Sequence, residues 1–363
     1  MKLGPLPMSR PLLTHLVVPF LSLVVLTVLL APRIPFDSRP ALPAEAAALA
    51  GGGVPVTIHA WFDLPKSDAR SAEFSGITWD GAQHILYAIT DDAPRIIPVT
   101  PSSDYRTWTF GDPIAVEVSG DWDGEGIVLT PDGFFISNEF GPAIVRLDRE
   151  GRALAEVPVP EHFQRILRNR GFEALTLSPD GRYLFAANES PLEGDGPQPT
   201  AEQGGLVRIL RHDLSSGEQT EYAYRTDPIF ATGEGGDRGV GDMIALSGTD
   251  LLVMERSFVP DVGTNVRIHR VSLAGGQNVL TVENLNEATP ALAKALLVDL
   301  ANLPDDAFPE PRQPQPNRIL DNFEGIALGL TLPDGRRLLF VVSDDNKRDP
   351  QTPRVLVLAV AGL

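Results

Sequence analysis

The 363-residue sequence predicts an all-β protein, a β-propeller, on three observations. One motif recurs five times: a polar head, an alternating apolar strand, a Gly-containing turn, a second apolar strand and a closing polar pair. Equivalent positions in it (Gly76, Gly126, Ala174, Met243, Gly325) are 48 to 82 residues apart, near the repeat length of four-stranded propeller blades. Gly and Pro number 33 each, which favours many turns over long helices.

The chain opens on a basic stretch carrying Lys2 and Arg10, followed by an apolar run over residues 16–31. That is the pattern of a secretory leader, or of an N-terminal anchor if it is retained. Residues 1–31 are assigned to it, and the Pro/Ala/Gly-rich residues 32–53 to a linker. The domain from 54 to 363 is expected to be exported, periplasmic or extracellular, touching a membrane only through the N-terminal segment. The whole chain has a net charge of −18, and residues 1–50 hold four basic and two acidic residues, so the remainder stands at −20. An acidic surface excludes a nucleic-acid partner and suits a cation-binding role. The absence of cysteine excludes disulfides and thiolate metal sites.

The five units run over 73–92, 124–140, 171–190, 240–258 and 322–346, each alternating with period two around an Asp-Gly or Gly-rich turn. At about 50 residues per blade the domain length predicts six blades, the sixth divergent or split. Residues 54–64 are expected to close the ring by completing a blade begun by residues 354–363. Two stretches break the pattern. Residues 160–170 predict a short helix, and 289–304 an amphipathic helix with Leu292, Leu296 and Leu300 at i, i+4, i+8.

The ordered set "SGITWD…YAITDD", "GEGIVL", "FEALTLSPDGRYLF", "VGDMIAL" and "NFEGIALG…LLFVVSDDN" resembles the phytase-like, or esterase-like, domain of phytase, over roughly residues 70–360. The resemblance implies an exported propeller, distantly related to calcium-dependent alkaline phytases that hydrolyse phosphomonoesters. A small phosphate ester is the substrate it implies.

First strands of blades line the channel, so strand-start residues converge. Aligning the units puts Ser75, Glu125, Glu173, Asp242 and Glu324 at one level, and the polar pairs Asp91-Asp92, Asn138-Glu139, Asn188-Glu189, Glu255-Arg256 and Asp344-Asp345 at the strand ends. Such carboxylates repel unless a cation or protons neutralise them. All-oxygen donors select a hard cation, Ca2+ before Mg2+, and His15, His59, His84, His162, His212 and His269 show no zinc-ligand spacing. The candidate ligands are Asp91, Asp92, Glu125, Glu173, Asp242, Glu324, Asp344 and Asp345, and the candidate catalytic residues Glu173, Glu324 and Arg170. Arg238, Arg256, Lys347 and Arg348 are further cations at motif ends; Arg256, standing where other units carry acids, is read as an ion pair. The competing reading makes the strand-start acids structural latches that accept backbone N–H bonds. Three functions are weighed: a Ca2+-dependent phosphate-ester hydrolase, a lactonase-like propeller hydrolase using Asn138 and Asn188 beside the glutamates, and a non-catalytic propeller whose helical insertions bind a partner.

Overall fold

A computed structural model describes residues 48–49, 55–91, 94–167 and 170–363. The expected leader and most of the linker lie outside the described residues; within the linker, Ala48–Leu49 pairs as a short strand with Pro55–Asp63. Among the described residues, no helix is long and apolar enough to cross a membrane.

Five antiparallel sheets form five blades. Blade 1 comprises Phe74–Asp80, Ile85–Thr90 and Arg95–Pro101, its outer edge divided between Trp108–Phe110 and Ile114–Ala115. Blade 2 comprises Gly124–Thr130, Gly133–Asn138, Ala143–Asp148 and Ala153–Val157. Blade 3 comprises Phe172–Leu177, Tyr183–Asn188, Leu206–Asp213 and Gln219–Arg225. Blade 4 comprises Asp237–Ala245, Asp250–Val259, Gly263–Ser272 and Lys294–Asp299. Blade 5 comprises Asn322–Thr331, Arg337–Asp344 and Arg354–Val360, completed by Pro55–Asp63. The ring is five-bladed, not six. Gly76 to Gly325 covers 249 residues in four steps, about 62 each, because long connections at 189–205, 273–293 and 303–321 carry the extra length. The closing strand at 54–64 does pair with 354–363, with Thr57 opposite Ala359 and Phe62 opposite Val355. It completes the fifth repeat's own blade, so no sixth is needed.

The core lies between blades. Strand Gly133–Asn138 is buried along its whole length because its alternate residues face opposite neighbours. Phe134 and Ile136 pack with Tyr87 and Ile89 of blade 1, and Phe135 packs with Leu175 and Leu184 of blade 3. Equivalent clusters fill the gaps between blades 3 and 4, 4 and 5, and 5 and 1.

Both expected helices are replaced. Glu161–Arg165 is one 3-10 turn that buries Phe163. Residues 289–304 hold the fourth strand of blade 4, Lys294–Asp299, and a 3-10 turn at Leu300–Asn302. Of the three leucines only Leu296 lies in the strand; Leu292 packs in the cluster between blades 3 and 4 and Leu300 in that between blades 4 and 5, and pairing with the open edge of Gly263–Ser272 (Val271 opposite Lys294, Arg267 opposite Asp299) imposes the extended form.

First strands of successive blades touch in a closed ring. The glycines of the repeated motif allow this approach. A Cβ at Gly126 would lie 2.4 Å from the Leu175 Cβ, and one at Gly76 would lie 2.3 Å from the Glu125 carbonyl oxygen. Gly126→Ala is therefore expected to cost about 1–3 kcal/mol by overpacking. Chemical denaturation measures it, and an unchanged midpoint would show that the first strands are not in contact.

Candidate metal centre at the end of the channel

Every first strand carries a register irregularity at its polar head. In blade 3, Phe172 faces Asn188 and Ala174 faces Ala187, which leaves Glu173 as the extra residue of a β-bulge. The same break leaves Ser75, Glu125 and Glu324 at this level in blades 1, 2 and 5. A bulged residue escapes the period-two alternation and can be aimed where the strand's own face would not send it. In blade 4, Val240 faces Glu255 and Asp242 faces Met254, so Gly241, not Asp242, holds this level. The register also defines a second level, the residues following the pairing partner: Asp91, Glu139, Glu189, Arg256 and Asp344. The N–H groups of Asp91, Glu139 and Glu189 each donate to the carbonyl of a residue leading into the first strand: Glu73, Asp123 and Gly171.

Seven residues of the two levels (Asp91, Glu125, Glu139, Glu173, Glu189, Arg256 and Glu324) line one cavity of about 460 Å³, and Asp344 is not in its wall. Its walls include eight carboxylates (Asp91, Asp123, Glu125, Glu139, Glu173, Glu189, Asp237, Glu324) against three guanidiniums (Arg170, Arg256, Arg348). Single oxygens of Asp91, Asp123 and Glu125 lie within 4.8 Å of one another, and so do those of Glu125, Glu139 and Glu173. Glu125 also accepts a hydrogen bond from the Ser75 hydroxyl. Asp123, Glu139, Glu189 and Asp237 are not among the candidates chosen from sequence. Glu139 and Glu189 were visible as members of polar pairs, and the register explains why they, and not Asn138 or Asn188, face the cavity. The Asn138 side chain bonds the Asp123 N–H and the Asp121 carbonyl, and Asn188 bonds the Arg208 N–H. Both asparagine side chains are thus engaged with backbone groups.

The other candidates separate by position. Asp242, 3% exposed, accepts the N–H groups of Met243 and Ile326 and latches blade 4 to blade 5, away from the cavity. Asp344, 1% exposed, caps the Asn346 N–H with Oδ2, while its Oδ1 has no hydrogen-bond partner among the described residues. The Oδ1 of Asp91 is likewise buried and without a partner among the described residues. Asp345 pairs with Lys66 at 3.5 Å and stays outside the cavity wall. Asp92 lies outside the described residues. Arg170 binds Glu189 at 2.9 Å and also pairs with Asp237. Arg256 binds Glu324 at 2.8 Å, Glu189 at 3.2 Å and Glu173 at 3.4 Å. Arg238 is buried against Glu255, and Lys347 pairs with Glu73. The structure also brings His269 to Asp227 and Glu255, a grouping no sequence spacing reveals; Lys294 bridges both acids, so this is an ionic tie within blade 4 and to the segment following blade 3.

Burial and mutual repulsion act on the cavity acids in one direction. Burial, then Glu125, pushes Asp91 up to about 11. Burial, then Glu189, pushes Glu139 up to about 8. Burial raises Glu324 to about 7, with Arg256 opposing it. Glu125 and Glu173 are held well above the usual carboxylate range, again by burial first. The metal-free folded chain therefore keeps protons that the unfolded chain, whose glutamates titrate near 4.5, has already lost. Stability falls with rising pH wherever the folded state binds more protons. In chelator, stability should decline as pH rises from about 4.5 through about 7 and 8; a flat or rising profile by denaturant unfolding would contradict this electrostatic account. For Asp242→Ala, two buried N–H groups lose their acceptor, at about 1–3 kcal/mol each. Chemical denaturation should show that loss as a lowered midpoint.

Several comparisons bear on this chain. An uncharacterized secreted protein of Arthroderma benhamiae is 30% identical over 143 residues, covering 30% of this chain and 27% of the relative. The chain thus spans about a quarter of the length of that curated relative. Among solved structures, an endo-arabinase from Bacteroides thetaiotaomicron is similar at 14% identity and a TM-score of 0.46, covering 81% of this chain and 96% of that one. A putative 6-phosphogluconolactonase from Bacteroides fragilis is similar at 15% identity and a TM-score of 0.34, covering 80% and 85%. Residues 70–347 match the phytase-like family described as "Esterase-like activity of phytase", and the chain, a five-bladed propeller, belongs to that family.

Proposed function

We propose that the protein is an exported, Ca2+-dependent hydrolase of phosphate monoesters acting at this end of the channel. Glu125 carries the reading, because its carboxylate belongs to two oxygen-donor triplets at once. Carboxylates gathered this closely in a buried wall call for a cation, and an all-oxygen donor set suits a hard one. The unpartnered Oδ1 of Asp91, which lines the cavity, fits the same reading, since a buried lone pair without a donor is costly. Family membership supports phosphoester chemistry; the N-terminal sequence and the secreted relative support export.

Asp91, Asp123, Glu125 and Glu139 would hold the ion, with Glu173 at the boundary between the second triplet and Arg256. Bound Ca2+ would neutralise these acids and polarise a phosphoryl oxygen. Glu324, titrating near 7, is suited to accept a proton from attacking water at neutral pH. Arg348 lines the cavity without an ion pair among the described residues, so its guanidinium is available to the phosphate. Arg170, held by Glu189 and Asp237, keeps the cavity wall in place and does not bind the ester directly.

The test is release of phosphate from p-nitrophenyl phosphate with Ca2+ and with chelator. Turnover should need Ca2+, and Glu125→Gln should lower kcat/KM by at least about 100-fold, the upper end seen for losing a metal site's supporting partner. At 100 times its dissociation constant the ion should also stabilise the fold by about 2.7 kcal/mol. Ca2+ stabilisation without turnover on any phosphomonoester would leave a binding propeller, not a hydrolase.

A further inference from the structure

One residue in the wall of the channel-end cavity is unlike the rest. Among the described residues lining it, Phe258 alone is apolar. Its side chain is 44% exposed and belongs to none of the clusters that fill the gaps between blades. A phenyl ring left in water forgoes the stabilisation that a packed position would give.

Strand Asp250–Val259 fixes where the ring stands. Ser257 and Val259 are buried, and Phe258 shares the opposite face with Arg256. Same-face positions on a strand are about 7 Å apart, so the ring stands one pleat beyond Arg256. The Arg256 guanidinium meets Glu324, Glu189 and Glu173. The cross-strand neighbours of Phe258, Asp237 and Thr264, also line the cavity. Phe258, Asn346 and Arg348 are the exposed members of the wall, while Glu125, Glu139, Glu173, Glu189 and Glu324 are buried. The ring and the Arg348 guanidinium therefore both stand at the mouth, outside the acids. A flat apolar face at the rim of a polar cavity suits a ligand with one charged end and one aromatic end.

We propose that the ligand taken here is a phosphate monoester of an aromatic alcohol, with its ring against Phe258 and its phosphoryl group directed inward. The inference rests on the reading of this cavity as a Ca2+-dependent phosphomonoesterase site and narrows its substrate class. In the reaction, water adds to phosphorus and gives a proton to Glu324. The bond from phosphorus to the aryl oxygen breaks, and the alcohol leaves as a phenolate. Phenols titrate near about 10, so this leaving group departs without a proton from the wall.

The experiment compares phenylphosphonate with methylphosphonate by calorimetry in the presence of Ca2+. Their P–C bonds do not hydrolyse, so binding is read apart from turnover. Wild type should bind phenylphosphonate about three- to tenfold more tightly, the range of one aromatic contact. Phe258→Ala should bind the two alike, and Phe258→Trp should keep the preference. With phenyl phosphate as substrate, Phe258→Ala should raise KM by about three- to tenfold. The loss should fall on KM and not on kcat, because the ring contact is the same in the ground and transition states. Equal binding of the two phosphonates by wild type, or a preference that survives Phe258→Ala, overturns the proposal. Failure of both phosphonates to bind refutes the phosphate site, and the proposal with it. A phenyl preference that Phe258→Ala abolishes, without turnover of any phosphomonoester, supports the ring site and overturns only the hydrolase reading.

Discussion

The repeated β-bulge at the head of each first strand is the constraint on which the rest depends. Without it, period-two pairing would send the strand-start residue into the gap between blades, which is filled by Phe, Ile and Leu side chains. One unpaired residue per blade is released from that alternation and turned toward the axis. The residue after it must then be small, because the neighbouring first strand lies against it: Gly76, Gly126, Ala174 and Gly325 occupy this place. Motifs such as "EGI" and "EAL" thus encode a packing rule and a cavity-wall position together. The glycine or alanine lets the blades close, and closure brings the acids within ligand distance.

Blade 4 shows the rule by departing from it. Its bulge falls on Gly241, so Asp242 moves into the small-residue place and its carboxylate reaches the first strand of blade 5. An acid in that position becomes a latch, while the acids one step earlier in other blades become cavity wall. The latch reading is thus realised in blade 4 by Asp242, while Glu125, Glu173 and Glu324 of the other blades stand in the cavity wall. Repulsion among the cavity acids is opposed by few cations, and burial keeps water from screening it. A site of this kind is a reservoir of electrostatic strain that proton uptake or cation binding can relieve.

Much of the fold was legible from the chain. Five units, their hairpin turns and the closing strand follow from alternation and Gly-rich turns, which are local signals. The blade number was not, since long connections such as 189–205 and 303–321 raise the residues per blade above the usual repeat. The strand at Lys294–Asp299 was hidden because the helical leucine spacing is fortuitous, with only Leu296 inside the strand, and pairing with the open edge of Gly263–Ser272 is a long-range choice. Of the site, Glu125, Glu173, Glu324 and Asp91 were readable as polar heads and strand ends, and the structure brings them to one cavity. Asp123 and Asp237 were not readable, because nothing local distinguishes them from surface acids. The displacement of Asp242 was invisible for a different reason: a one-residue slip in a bulge leaves no mark on composition or period.

The split fifth blade has a consequence in time. Its outer strand, Pro55–Asp63, pairs with Arg354–Val360, nearly 300 positions later, and Asp63 is tied to the Arg354 guanidinium at 2.6 Å. Contacts this distant along the chain form slowly, because a long loop must be closed before they contribute. During synthesis the early strand waits unpaired while four blades stack. The acids of blade 5 meet those of blade 1 only when the ring shuts, so an ion that bridges them would bind late and act as the final clasp on the folded molecule.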